Sequence, residues 1–200
     1  MSRFKKYWAK QFARPEGIGG KVSTFLMNRM NGAMYDAVLA NVPESGRILE
    51  IGFGNGLCIE QLAKRTDAEI YGIDVSTDML KAAAKRNRKS VRKGKVSLMI
   101  GSAEEIPFDG QFDLIYTVNT VYFWPDLDKG HRAIADRLAG GGTFMNVFYT
   151  KERLDRTGFT QYGFAKYTPD ELKDAAERSG MSAEVIRIKD GASYSVKATR

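Results

Sequence analysis

The chain has 200 residues, 43% of them hydrophobic, and a mean hydropathy of -0.36. That predicts one domain burying about 70% of its unfolded surface and excludes a transmembrane protein, since no run approaches the ~18 uninterrupted apolar residues of a membrane span. Cys58 and His131 are the only cysteine and histidine, which excludes a disulfide framework, a multi-cysteine zinc site and chemistry built on His pairs. The net charge of +7 is local, because residues 81–95 hold eight basic side chains and no acidic one, while charges elsewhere nearly balance.

The first ten residues, MSRFKKYWAK, lead into QFARPEGIGGK rather than an apolar run, so no secretory signal is read and a cytoplasmic location is expected. Residues 22–42 carry apolar side chains at Val22, Phe25, Leu26, Met30, Ala33, Met34, Ala37 and Val38, the pattern of a one-faced helix ahead of any strand. Residues 1–45 are therefore read as an N-terminal helical extension or lid, and residues 46–200 as the main domain. Strands are predicted at 47–53, 69–75, 95–100, 112–118, 142–149, 183–189 and 193–199, with helices at 57–65, 77–92, 127–138 and 169–179. Ser76 and Thr168 are placed as N-caps, and Gly180 as a helix stop. Alternating strands and helices predict a Rossmann-like, three-layer α/β/α fold around a mostly parallel seven-stranded sheet. Only Asp190, Gly191 and Ala192 separate the last two strands, too few residues for a parallel crossover, so the final strand is predicted to run antiparallel.

Chemistry first enters at residues 48–56, ILEIGFGNG, where an apolar strand meets Gly52, Gly54 and Gly56 and Leu57 opens a helix. Glycines let the backbone turn sharply and approach a ligand closely, and the helix N-terminus offers free N–H groups. Asp74 ends the second strand, eighteen residues after Gly56. A carboxylate there grips ribose hydroxyls in the crevice outside the strand C-termini. Two ligand classes fit so far, a dinucleotide and S-adenosylmethionine. The glycines read G-x-G-x-G, and Leu57 stands where a dinucleotide fingerprint has its third glycine. Glu50, beside the loop, is awkward for a pyrophosphate and tolerable for a ligand carrying an ammonium and a sulfonium. The terminal antiparallel hairpin also disfavours a nicotinamide oxidoreductase.

These segments together resemble the class I S-adenosylmethionine-dependent methyltransferases, in particular the small group similar to the ubiquinone/menaquinone-biosynthesis enzymes, over residues 46–200. ILEIGFGNG resembles the first motif of that family and YGIDVSTDML the second. IGSAEEIPFDGQFDLIYTVNTVYFW resembles the third and fourth, and RLAGGGTFMNVFY the fifth. The resemblance implies S-adenosylmethionine as cofactor, with Gly52, Gly54 and Gly56 around its methionine part, Asp74 on the ribose, and Val75 and Met79 beside the adenine. It also places Ser102, Ala103 and Glu104 on the adenine side and Asn119 beside the transferred methyl. Ser102 departs from the family's usual Asp, so its hydroxyl brings a hydrogen bond and no charge.

Methyl transfer from a sulfonium is an in-line displacement in which positioning dominates. Asn119, Tyr122 and Trp124, in TVNTVYFWPD, are the candidates to line the acceptor pocket, with Asn119 and Tyr122 positioning the acceptor. His131 is read as a packing residue within its helix. The two prolines of a base-amino-methylating loop are absent after Asn119, and Cys58 lies in the cofactor helix rather than on an acceptor loop. Tyr7, Trp8, Phe12, Asn28 and Asn31 are candidates to close over the site together with the segment 151–167. The reading is methyl transfer to a small-molecule acceptor, without a metal and without nucleic acid as partner. The alternatives are an RNA methyltransferase using the basic helix at 81–95 and a non-catalytic S-adenosylmethionine-binding regulator or partner subunit.

Overall fold

The structure is a computed structural model that describes residues 31–156, 160, 165–188 and 192–200. Tyr7, Trp8, Phe12 and Asn28, and the first part of the helix expected at 22–42, lie outside the described residues. Seven strands form one sheet in the order β3-β2-β1-β4-β5-β7-β6. β1 (Arg47–Ile51), β2 (Glu69–Asp74), β3 (Val96–Ile100), β4 (Phe112–Val118) and β5 (Leu138–Tyr149) are parallel. β7 (Ser193–Thr199) runs antiparallel between β5 and β6 (Ser182–Arg187), as the short connection requires.

Alternation along the strands sends side chains to two cores. Ile48 and Ile70 face α1 (Gly32–Leu39), α2 (Leu57–Leu62) and α3 (Thr77–Arg86), where Met34, Val38, Ile59, Leu62, Met79 and Ala83 are buried. Leu49, Ile115, Phe144 and Phe148 face α5 (Leu127–Arg137) and α7 (Pro169–Arg178), where Ile134, Leu172 and Ala176 are buried. Each fully buried large aliphatic side chain contributes about 1.5–3 kcal/mol. The two buried faces hold the strand C-termini, and the loops leaving them, in fixed relation.

The helix ends follow their local chemistry. Ser76 Oγ accepts from the Met79 N–H, and Thr168 forms a capping box with Glu171 in which each side chain accepts from the other's backbone N–H. Gly180 follows α7 at φ +88°, a conformation that stops the helix and favours glycine.

Three elements differ from expectation. The helix expected over 77–92 is divided at Asn87 into α3 and α4 (Arg88–Arg92). The Asn87 amide, 3% exposed, donates to the carbonyls of Gly56 at 3.0 Å and Ala83 at 3.1 Å, so the break fastens the helix to the end of the glycine loop. β5 begins at Leu138 rather than 142, directly after α5. A register shift opposite Phe112 and Leu114 absorbs the glycine run, and Gly142 packs so closely that a Cβ there would lie 2.9 Å from the Phe112 carbonyl oxygen. A short α6 (Lys151–Asp155), capped by Thr150, follows β5 where only a loop is expected.

Candidate active site at the C-terminal ends of β1, β2 and β4

β1 ends in the glycine loop, and all three glycines adopt left-handed backbone, with φ of +79° at Gly52, +54° at Gly54 and +73° at Gly56. Two of them are also confined. A Cβ on Gly52 would lie 2.3 Å from Thr120 Cγ2, and one on Gly56 would meet Asn87 and Ala83 at 2.7 and 2.8 Å. The loop is held by Asp74 at the end of β2: Oδ2 accepts from the Gly54 N–H at 2.9 Å and Oδ1 from the Ser76 N–H at 2.9 Å. Asp74 thus shapes the loop, with the Val75 N–H also directed at it, while the carboxylate keeps acceptor capacity for a further donor such as a ribose hydroxyl. Burial pushes its carboxyl up to about 6, against the lowering by these N–H groups. Val75, next in the chain, is 47% exposed at the mouth, and Met79 is buried beneath it in α3.

Glu50 points to the same side of the sheet as Ile48 and is 3% exposed. The Tyr116 hydroxyl, from β4, donates to Glu50 Oε2 at 2.8 Å. Cys58 from α2 and Tyr35 from α1 complete its surroundings. Burial raises the Glu50 carboxyl to about 8, the Tyr116 hydrogen bond lowers it, and the neighbouring Asp74 raises it again. The same burial pushes the Cys58 thiol up, which makes it a packing residue and a poor nucleophile.

The loop leaving β4 packs onto the glycine loop. Thr117 Oγ1 donates to the Ile51 carbonyl at 2.9 Å, and Thr117 and Thr120 share a hydroxyl hydrogen bond. Asn119 follows at φ +58°, a left-handed conformation that asparagine tolerates better than most side chains. Its Nδ2 donates to Asn31 Oδ1 at 2.8 Å and lies 3.1 Å from Met34 Sδ, while its Oδ1 accepts from the Tyr122 hydroxyl at 2.9 Å. The Tyr122 oxygen also accepts from the Tyr149 N–H. Asn31, Asn119 and Tyr122 are therefore one buried polar chain linking α1, the β4 loop and the end of β5.

The remaining residues singled out from the sequence sit further from this centre. Ser102 pairs with Glu105 through backbone hydrogen bonds in the turn after β3. Ala103 is 2% exposed beneath Gly130. Glu104 Oε1 accepts from the Asp126 N–H at 2.7 Å, next to the N-terminus of α5. Trp124 is buried against Gly130 and His131, with its indole N–H directed to Thr120 Oγ1 at 3.3 Å. His131 is fully buried, hydrogen-bonded through Nδ1 to the Leu127 carbonyl, and its pKa is lowered mainly by burial. Tyr116 and Tyr35 were not marked by the sequence; strand alternation put Tyr116 on the face of Glu50, and that was the only available signal.

The donor set is coherent. Two carboxyls flank glycine turns beside the exposed Val75 side chain, an arrangement suited to hydroxyls, a cation and an apolar ring, and ill suited to a pyrophosphate. Comparison with known proteins agrees. Residues 48–142 match the family model described as a methyltransferase domain. Residues 48–142 are a class I S-adenosylmethionine-dependent methyltransferase domain. S-adenosylmethionine is the cofactor of this methyltransferase domain. The uncharacterized methyltransferase YdaC of Bacillus subtilis is 43% identical over 97 residues, covering 48% of this chain and 51% of that protein. The ubiquinone/menaquinone biosynthesis C-methyltransferase UbiE of a Geobacter species is 27% identical over 164 residues, covering 70% of each. The chain spans about half the length of the first curated relatives it matches. In fold, the chain resembles a putative methyltransferase of Haloferax volcanii solved in complex with the Trm112 methyltransferase activator, with a TM-score of 0.79 at 16% identity over 100% of this chain and 98% of that one. Among the described residues, no helix is long and apolar enough to cross a membrane.

Proposed function

We propose that the chain transfers the methyl group of S-adenosylmethionine to a small-molecule acceptor held at the end of β4. The reading takes residues 1–45 as an extension and 46–200 as the methyltransferase domain. When bound, the cofactor supplies an electrophilic methyl on a sulfonium. Asp74 would take the ribose hydroxyls, and Val75 and Met79 the adenine edge. Glu50 would face the positively charged methionine end, and the glycine turns would admit it closely. Asn119 and Tyr122 orient the acceptor. Their amide and hydroxyl are already fixed by Asn31 and Tyr149, so little rotamer freedom is lost when the acceptor arrives.

The observation that carries the small-molecule reading is the inward course of the β4 loop. Val121, Tyr122 and Trp124 turn straight into the core, and α5 starts at Leu127, so among the described residues the β4 loop projects no platform for a macromolecule. The test is release of S-adenosylhomocysteine by the full chain over a panel of amines, thiols, phenols and quinols, run beside total RNA. Turnover of a member of the panel, reduced at least tenfold in Asn119→Gly, is the expected result. Methyl transfer to RNA alone would overturn the proposal.

A further inference from the structure

β3 is the outermost strand of the sheet: β2 pairs with one of its edges, and among the described residues no strand meets the other. A groove of about 430 Å³ runs along that free edge. Leu80, Ala84 and Val91, on α3 and α4, form one wall, Phe108 the other, and Leu98 and Met99 of β3 lie between them. Large hydrophobic side chains with substantial exposure are few among the described residues, and two of the five line this groove: Val91 at 37% and Met99 at 42%. An open strand edge flanked by apolar walls is the geometry into which an extended segment adds as a further strand, its backbone pairing with the edge and its alternate side chains filling the walls.

The charge around the groove selects the segment. Lys81 and Lys85 follow Leu80 and Ala84 on α3, and Arg88 and Arg92 flank Val91 on α4; all four are exposed and in no ion pair among the described residues. A second copy of the chain would bring the same basic side chains against these. An RNA strand would find one aromatic ring in the groove, Phe108, already engaged edge-on with Tyr71 at 4.9 Å. We infer that the free edge of β3 is a docking site for an extended, acidic and apolar segment of a partner protein, which adds a strand to the sheet beside the basic face of α3 and α4. Apolar side chains of the segment cover Val91 and Met99, and its carboxylates meet Lys81, Lys85, Arg88 and Arg92.

The test is fluorescence anisotropy of a labelled peptide alternating valine with glutamate over about nine residues, enough to cover β3 with an overhang, titrated with the full chain. Two further peptides carry lysine in place of glutamate, or proline at the centre. The first peptide is expected to bind saturably, and the other two at least about tenfold more weakly. The double variant Lys85→Glu/Arg92→Glu, changed only at exposed positions, is expected to lose about tenfold for the glutamate peptide while keeping wild-type affinity for S-adenosylmethionine. Absence of saturable binding, equal binding of the proline peptide, or unchanged binding by the double variant would overturn the inference. So would a dimer in sedimentation that Met99→Glu dissociates, which assigns the groove to a second copy, or displacement of the peptide by RNA at stoichiometric amounts.

Discussion

Replacing Glu50 by Gln removes a proton-binding group from the most enclosed acidic position beside the glycine loop. The carboxyl is 3% exposed and is raised from 4.5 to about 8, first by burial and then by the proximity of Asp74, with the Tyr116 hydroxyl opposing both. The folded state therefore holds a proton on Glu50 that the unfolded chain has released above its own lower value. Stability contributed by that proton is present at low pH and declines as pH rises from 4.5 towards 8. Each pH unit in that window removes about 1.4 kcal/mol, so between pH 5 and 7 the loss attributable to Glu50 is roughly 2–3 kcal/mol. Asp74, raised from 3.8 to about 6, adds a contribution of the same sign over a lower window. Urea unfolding of the wild type and of Glu50→Gln at pH 5, 6 and 7 reads the effect as a difference, because other titrating groups are common to both chains. The wild type is expected to lose stability relative to the variant by that amount across the series. Parallel stability profiles would refute the reasoning and mean that Glu50 is ionised in the folded protein.

Asp74→Ala removes both the carboxylate proposed for the ribose and the tie to the Gly54 N–H, and calorimetric titration should show S-adenosylmethionine binding weakened by about 1–3 kcal/mol; unchanged affinity would remove Asp74 from the site. Gly52→Ala forces a left-handed alanine against Thr120 Cγ2, and a loss of about 1–3 kcal/mol is expected. Adding Thr120→Ser, which deletes that methyl, should recover part of the urea midpoint, and no recovery would place the whole effect in the backbone. Tyr116→Phe takes the Tyr116 hydroxyl donor from Glu50 Oε2, so the pH at which cofactor affinity changes should move upward, with thermal stability lowered by about 1–3 kcal/mol; an unmoved pH profile would show that the hydroxyl does not act on the carboxyl. Asn119→Gly keeps the left-handed backbone and deletes the amide, and steady-state kinetics should show a fall in kcat larger than the change in cofactor affinity.

Strand and helix alternation was legible in the sequence because the sheet is buried on both faces, and its short β-branched runs stand apart from the helical periodicity. β4 and β7 occur at the residues expected from that pattern. The early start of β5 was not, since the run Ala139-Gly140-Gly141-Gly142 carries no strand signal and joins the sheet through a close approach to Phe112. The break at Asn87 was hidden for the opposite reason: the basic helical pattern continues through it, and the cause is a hydrogen bond to Gly56, 31 residues away. In the candidate site, glycine spacing and strand-end position marked the loop and Asp74, whose effects are local. The partners of Glu50 and Asn119 come from 66 and 88 residues away, and only the folded sheet brings Tyr116 and Asn31 to them. Trp124, two residues after Tyr122, packs its ring in the core, a placement that the sequence around it does not signal.

The place of β7 bears on the order in which the fold assembles. β6 precedes β7 in the chain yet pairs with no other strand, and β5 reaches β6 only across β7. Until Ser193–Thr199 inserts, β6 has no strand partner among the described residues and packs on α7, and the Thr143–Tyr149 edge of β5 stays open. The sheet therefore closes from its middle, in a step that joins residues about fifty positions apart at the β5–β7 pairing and completes two ladders at once. Variants that slow this insertion, such as proline at Ser195 or Val196, should accumulate a species with the β1–β5 half formed and an exposed β5 edge ready to pair between molecules.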